Sequence, residues 1–215
     1  MSYLNVFEIY PSIQGESTRA GRKCVFIRLA GCNLDCAYCD SSEAAKGNGQ
    51  RMETDAIMEK IKAFGINLVE VTGGEPLAQE AAKDLLDHLA GAGYETLVET
   101  NGSVNIAGFT RKASYIVDVK TPGSGAGGSF DERNLEALMP GDELKFVVTS
   151  REDFDWAEGF VRAHGLEGAA PILYSPAEGM VSPKALAGWM MEARTPARLN
   201  LQLHKIIWGP GAKGV

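Results

Sequence analysis

Cysteine and histidine are scarce in this sequence, with four and three in 215 residues. A small domain stapled by disulfides needs more cysteine than that, so the few thiols point to metal binding or catalysis in a reducing compartment. Positive charge is also short: 21 Lys and Arg stand against 28 Asp and Glu, a net charge of −7. Phosphate backbones are held by clustered Lys and Arg, and no basic stripe is present, so nucleic acid is not an expected ligand. Long apolar runs are missing too. The longest stretch without a charged residue, Thr100 to Thr110, falls far short of the ~20 residues of a membrane span. The start, MSYLNVFEIY, has no basic residue leading into an apolar run, so no signal peptide is expected. Repeats, low-complexity tracts and linkers are absent. These absences describe a soluble, cytoplasmic chain, with no membrane partner, folded as a single domain over 1–215.

What is present alternates between two periods. Residues 24–29 (CVFIRL), 68–72 (LVEVT), 94–100, 114–119, 143–148, 171–175 and 199–204 read as strands. Residues 54–64 carry apolar side chains at 57, 58, 61 and 64 behind a Thr, a helical spacing. Residues 78–93, 153–165 and 182–193 also read as helices, the last with Pro183 in its first turn. Alternating strands and helices give a parallel sheet. Residues 101–113 and 121–142 are glycine-rich with little helical pattern, so the expected fold is a compacted partial (β/α) barrel of about six parallel strands with some helices reduced. A doubly wound open sheet is the alternative. Either fold gathers ligands at the C-terminal ends of its strands.

Cys32, Cys36 and Cys39 follow the first of those strands in a C-x3-C-x2-C spacing. A structural zinc would need a fourth closed ligand. The remaining candidates are Cys24, at the start of an apolar strand, and His88, His164 and His204. Cys24 reads as a small core residue and the first two histidines as surface positions on helices. The other reading is a 4Fe–4S cluster held by three thiolates, with one iron left open to a small chelator.

The spacing, with Tyr38 just before the third cysteine, resembles the signature of radical S-adenosylmethionine enzymes. In that superfamily the open iron takes the amino and carboxylate groups of S-adenosylmethionine, and an electron from the cluster breaks the sulfonium bond. "VTGGEP" (71–76) alone is a turn with an acid at a helix start; beside the cysteines it resembles the motif that holds the methionine ammonium. "VETNG" (98–102) and "VDVKTPGSGAGG" (117–128) place Thr100, Asn101, Asp118 and Lys120 at two further strand ends. With "SIQGES" (12–17) near the start and "QLHK" (202–205) near the end, the chain resembles the 7-carboxy-7-deazaguanine synthase family along nearly its whole length.

The resemblance implies conversion of 6-carboxy-5,6,7,8-tetrahydropterin to 7-carboxy-7-deazaguanine with loss of ammonia, in 7-deazapurine biosynthesis. It implies cluster ligation by Cys32, Cys36 and Cys39. It implies S-adenosylmethionine binding by Tyr38, Cys39, Asp40, Gly74, Glu75, Asn101, Asp118, Val119, Lys120, Ser175, Pro176, Ala177 and Glu178. Substrate would meet Ile13, Gln14, Gly15, Glu16, Arg28, Thr72 and His204, the last at the end of the final strand. Magnesium would sit at Ser41, where the family pattern often has Thr. Some members have Ser-Pro-Lys in place of Asp118-Val119-Lys120. A homodimer and an electron donor such as flavodoxin are also implied. Arg28 in a mostly apolar strand needs a partner, either the substrate carboxylate or a structural carboxylate. Two rivals make different demands: an activase that puts a glycyl radical on a partner protein needs an open groove, and a non-catalytic zinc module needs a closed tetrahedral ion.

Overall fold

The computed structural model describes residues 2–215. Nine strands form one sheet: β1 (Tyr3–Ile13), β2 (Lys23–Leu29), β3 (Gln50–Glu53), β4 (Leu68–Gly73), β5 (Glu95–Thr100), β6 (Ser114–Asp118), β7 (Glu143–Val148), β8 (Ile172–Pro176) and β9 (Arg198–Leu199). The spatial order is β3-β1-β2-β4-β5-β6-β7-β8-β9. From β2 through β4 to β9 every pairing is parallel. The expected six parallel strands are β2 and β4 to β8, and β9 adds two residues. The sequence reading missed the antiparallel edge made by β1 and β3.

Alternation along the strands separates two faces. Val25, Ile27, Val69, Val71, Val98, Tyr115, Val117, Phe146 and Tyr174 belong to one large buried cluster. That cluster also contains Ile57 and Ile61 of α2 (Thr54–Lys62), Leu85, Leu86 and Leu89 of α3 (Ala82–Gly91), Phe154, Ala157 and Val161 of α5 (Arg151–Ala163), and Leu186 of α6 (Pro183–Ala193). The apolar stripes spaced three and four apart on these helices therefore cover one side of the sheet. Each fully buried aromatic or branched side chain there contributes about 1.5–3 kcal/mol. The remaining helices are short: α1 (Ser42–Lys46), α4 (Arg133–Ala137) and α7 (Leu203–Trp208). Single 3-10 turns at 76–78, 106–108 and 122–124 replace longer helices, in line with the glycine-rich stretches.

The opposite face is built differently. Cys24, Phe26, Leu68, Leu97 and Ile116 form a small apolar plug without helical partners. Beyond it, on these strands and on β7 and β8, the face turns polar: Arg28, Glu70, Thr72, Glu99, Asp118, Lys145 and Ser175 all line one cavity of about 380 Å³. Six adjacent strands laid flat would span about 24 Å at ~4.8 Å per step, too wide to enclose a volume of that size. The sheet is therefore curved around the cavity, and helices pack on its outer face. This is the partial barrel, and the doubly wound alternative, with helices on both faces, does not describe it. The curve stays open, because β3 and β9 end the order without pairing to each other.

Candidate active site

The cysteine loop leaves β2 at Ala30. Gly31 takes a positive φ of 91°, a conformation natural to glycine, and its N–H donates to Ala44 O at 2.8 Å. Cys32, Cys36 and Cys39 are free thiols of intermediate exposure, and all three line the cavity. Leu34 N and Asn101 Nδ2 donate toward Cys32 Sγ at 3.4 and 3.7 Å. Burial pushes the Cys36 thiol above its ordinary value, against the pull of Lys120; bound iron would hold it deprotonated. Among the described residues, no three His, Cys, Asp or Glu side chains converge as a single metal ion requires. Three thiols of one short loop facing one cavity are the donor set of an iron–sulfur cluster, whereas a structural zinc would need a fourth closed ligand. The cluster therefore fits the residues present.

The glycines of the "TGGEP" turn are required by packing. A Cβ at Gly74 would collide with the Gly31 carbonyl oxygen and come within 2.8 Å of Cys32 Cβ. The turn thus lies directly on the cysteine loop. Glu75 does not line the cavity; it is fully buried, and its carboxylate accepts from Leu77 N (2.9 Å), Thr100 Oγ1 (2.8 Å) and Asn101 N (2.7 Å). Its pKa is raised by burial, which these bonds oppose. Here Glu75 ties the β4 and β5 ends together and fixes Asn101. Val119 also stays out of the cavity, buried in the large core with its N–H donating to Lys145 O.

The other expected cofactor residues do line it: Tyr38, Asp40, Gly74, Asn101, Asp118, Lys120 and the segment Ser175, Pro176, Ala177, Glu178. Lys120 Nζ lies 5.6 Å from the Tyr38 ring centre and donates to Asp118 Oδ2 at 2.7 Å. Burial disfavours its charge, but Asp118 more than compensates and holds it protonated. Two buried polar atoms there, Tyr38 Oη and Asp118 Oδ1, have no protein partner, so a polar ligand such as S-adenosylmethionine fits. Ser41 Oγ faces the cavity and donates to Gly73 O at 3.3 Å. It offers magnesium one hard oxygen ligand.

The two chain ends meet across the same cavity. After β1, Gln14 Nε2 donates to Glu70 Oε2 and Gln14 Oε1 accepts from Glu16 N at 2.9 Å. Ser17 holds a positive φ of 63° and donates its N–H to Asn200 Oδ1 at 2.9 Å, so the loop turns over with Glu16 facing inward. Leu203 N donates to Gly15 O at 2.9 Å. Gln202 Nε2 donates to Glu16 Oε1 and Asp40 Oδ2, both at 2.9 Å. Burial would raise the Asp40 carboxyl, but Lys205 at 3.1 Å and Gln202 bring it down to about 2. Asp40 keeps half its side-chain surface open, and that surface faces the cavity.

His204 differs from expectation. The last strand ends at Leu199 and His204 stands in the first turn of α7. The cause is local: the side chains of Asn200 and Gln202 are drawn inward to Ser175, Glu16 and Asp40, which takes the backbone out of the ladder. His204 still lines the cavity, packed so closely on Gly15 that a Cβ there would strike its Nδ1. Arg28 lines the cavity as well, and it also has a structural partner: Nε donates to Glu8 Oε1 at 2.9 Å and Nη2 to Tyr10 Oη at 3.0 Å.

A family model described as the Radical SAM superfamily matches residues 26–119. The chain is 43% identical to 7-carboxy-7-deazaguanine synthase of Koribacter versatilis over 227 aligned positions, covering 99% of this chain and 100% of the relative. The corresponding protein of Chlorobaculum tepidum is 41% identical, with 99% and 97% covered. The chain belongs to the 7-carboxy-7-deazaguanine synthase family. Among solved structures, QueE from Escherichia coli aligns with a TM-score of 0.75 at 21% identity, covering 93% of this chain and 94% of that one, which independently supports the radical S-adenosylmethionine type of partial barrel.

In this member of the 7-carboxy-7-deazaguanine synthase family, the cavity residues that the sequence reading did not single out include Glu70, Glu99 and Lys145. Each is a charged residue inside a largely apolar run, "LVEVT", "LVET" and "LKFVV". That was the available signal, and it is the one that singled out Arg28. Asn200 and Gln202 carry no such signal, because "LNLQLH" alternates like a regular strand.

Proposed function

We propose that this chain converts 6-carboxy-5,6,7,8-tetrahydropterin to 7-carboxy-7-deazaguanine and ammonia as a radical S-adenosylmethionine enzyme. The observation that carries this is the meeting of "IQGE" and "QLHK" over the cavity that the three cysteines line. The cluster with S-adenosylmethionine supplies a 5′-deoxyadenosyl radical able to take hydrogen from C6 of the pterin.

The chain's own residues bind and orient. Cys32, Cys36 and Cys39 hold the cluster. Tyr38, Asp40, Gly74, Asn101, Asp118, Lys120 and residues 175–178 seat S-adenosylmethionine; Glu75 acts by fixing Asn101, and Val119 by spacing Asp118 from Lys120. Ile13, Gln14, Gly15, Glu16, Arg28, Thr72 and His204 seat the pterin. Gln14, held by Glu70, and Glu16, held from three sides, face the amide and amino edge of the heterocycle. Arg28 brings a planar cation toward the substrate carboxylate, and magnesium at Ser41 would clamp the same group. Held in one site, C6 and the 5′ carbon would meet at high effective concentration.

A cavity of about 380 Å³, bridged at its mouth by Leu203 N to Gly15 O, suits a small molecule. A partner protein's loop would need an open groove. The whole chain acts as one domain with its two terminal segments closing the substrate side, in the cytoplasm, where no helix among the described residues is long and apolar enough to cross a membrane. A homodimer and a flavodoxin-type donor complete the reading; light scattering tests the first and flavodoxin-dependent turnover the second. The function itself is tested by anaerobic incubation of the reconstituted protein with S-adenosylmethionine, a reductant and the pterin. A deazaguanine chromophore is expected. Release of 5′-deoxyadenosine without it would keep the radical chemistry and reject the substrate.

A further inference from the structure

We propose that Lys145 is a positioning residue: from the middle of β7 its ammonium bridges Glu16 and Glu99 and holds the two carboxylates at one fixed spacing as acceptors for the pterin's N–H groups. The second half of this statement rests on the substrate reading above; the first half does not.

The geometry is specific. Lys145 is 5% exposed and lines the cavity. Its Nζ donates to Glu16 Oε2 at 3.2 Å and to Glu99 Oε1, and lies 4.0 Å from Asp118 Oδ2. Glu16 comes from the loop after β1 and Glu99 from β5, so the lysine joins elements that share no strand pairing. Glu16 is further fixed by Asn200 Nδ2 at 3.1 Å and Gln202 Nε2 at 2.9 Å. Three donors on one carboxylate leave it little freedom and one open acceptor position facing the cavity. Thr72 Oγ1 donates to the second oxygen of Glu99 at 3.4 Å.

A buried ionic cluster is a poor way to gain stability, because apolar residues of the same volume often do as well or better. The neighbouring layer shows that this sheet face can be filled with Leu and Ile. A charged layer at that depth, lining the cavity, points to ligand recognition. The charges facing Lys145 and its two acids are Glu70 on β4, Asp118 and Lys120 from β6 and the turn after it, Arg28 on β2, Asp40 in the cysteine loop and His204 in α7. Burial, with Glu99 and Glu16 beside it, raises the Glu70 pKa against the pull of Lys145 and Arg28. Lys120 is taken by Asp118, Arg28 by Glu8 and Lys205 by Asp40. Lys145 is the cation in hydrogen-bond contact with both Glu16 and Glu99.

Two variants and two readouts test this. With the glutamates carbon-13 labelled, the Glu16 carboxyl is titrated by NMR in protein without pterin. In Lys145→Met it is expected to titrate at higher pH than in the parent. Unchanged titration overturns the bridge, whatever the substrate is. In turnover, Lys145→Met is expected to raise the pterin KM about tenfold or more, the loss of one charge-assisted bond, and to move the acidic limb of the pH profile upward. The dissociation constant for S-adenosylmethionine stays within about twofold, well inside the tenfold that 1.4 kcal/mol represents. Equal weakening of both ligands would mean a general structural role and overturns the proposal. Should Lys145→Met fail to fold, Lys145→Arg keeps the charge but replaces the point donor by a longer planar one. It is expected to raise the pterin KM with the pH profile unchanged, and parent-like KM in Lys145→Arg overturns the positioning claim. A parent protein that binds no pterin rejects the substrate reading, while the NMR titration still decides the bridge.

Discussion

Glu70 is a buried carboxyl lining the cavity, and its pKa is raised, first by burial and then by the carboxyls of Glu99 and Glu16, against the pull of Lys145 and Arg28. A folded-state pKa above the unfolded one means that the folded protein binds more protons over that window, so stability falls as pH rises through it. Glu70→Gln keeps the bond to Gln14 and removes this slope. The expected outcome is a melting temperature at pH 8 higher by about 3 °C, with no difference from the parent below pH 4, checked by calorimetry across pH. Gly74 gives a second test at this scale. Gly74→Ala would push a methyl into the Gly31 carbonyl and the Cys32 side chain. A cost of about 1–3 kcal/mol is expected, along with reduced iron and sulfide per chain after reconstitution, both measurable on one sample. Single residues were legible where their chemistry was unusual in place. The cysteine triplet, Asn101 and Lys120 stood at strand ends, and all of them line the cavity. Arg28 was legible as a residue needing a partner, but Glu8 and Tyr10 were not legible as that partner, since their strand had not been seen.

That strand shows why elements are harder. In β1, Leu4 and Val6 are buried in alternation, but the register to β2 shifts between Val6 and Glu8. The bulge breaks the period of two on which the sequence reading depends. The end of the chain fails for the opposite reason: "LNLQLH" alternates like a strand, yet the polar positions are drawn inward by side-chain bonds no local pattern encodes. The loop after β6 has a hidden brace as well. Asp153, in the first turn of α5, accepts from Thr121 Oγ1 (2.9 Å), Gly123 N (2.9 Å) and Thr149 N (3.0 Å) and Oγ1 (2.7 Å). The braced turn continues to Ser124, whose carbonyl accepts from Ala37 N in the cysteine loop at 2.9 Å. Asp153→Ala strands those donors and is expected to cost about 2–3 kcal/mol in urea unfolding. It is also expected to weaken S-adenosylmethionine binding more than pterin binding, because Lys120 precedes the braced turn.

At the scale of the whole molecule, the sheet works as a cup with an apolar bottom and a charged wall, and the two chain ends form its rim. The cup was legible from the order of strands and the shortness of the connections between them. The charged wall was not, because a sequence does not say which face of a strand points inward. Beyond Trp208 the rim continues through a turn closed by Ala212 N to Gly209 O, and Pro210, Ala212 and Lys213 line the cavity. Lys213 pairs with Glu43 at 2.5 Å on the surface, a contact of about 0–1 kcal/mol. Removal of residues 209–215 is therefore expected to leave the melting temperature within about 2 °C and cluster content unchanged, and to raise the pterin KM, as steady-state kinetics would show. The central claim is that this cup holds C6 of the pterin against the 5′ carbon of S-adenosylmethionine. Turnover of 6-carboxytetrahydropterin deuterated at C6, with mass analysis of the recovered S-adenosylmethionine, tests it most directly. The expected result is deuterium in S-adenosylmethionine that is not consumed, alongside 7-carboxy-7-deazaguanine. The contradicting result is unlabelled S-adenosylmethionine, with the deuterium retained in unreacted pterin or lost to water.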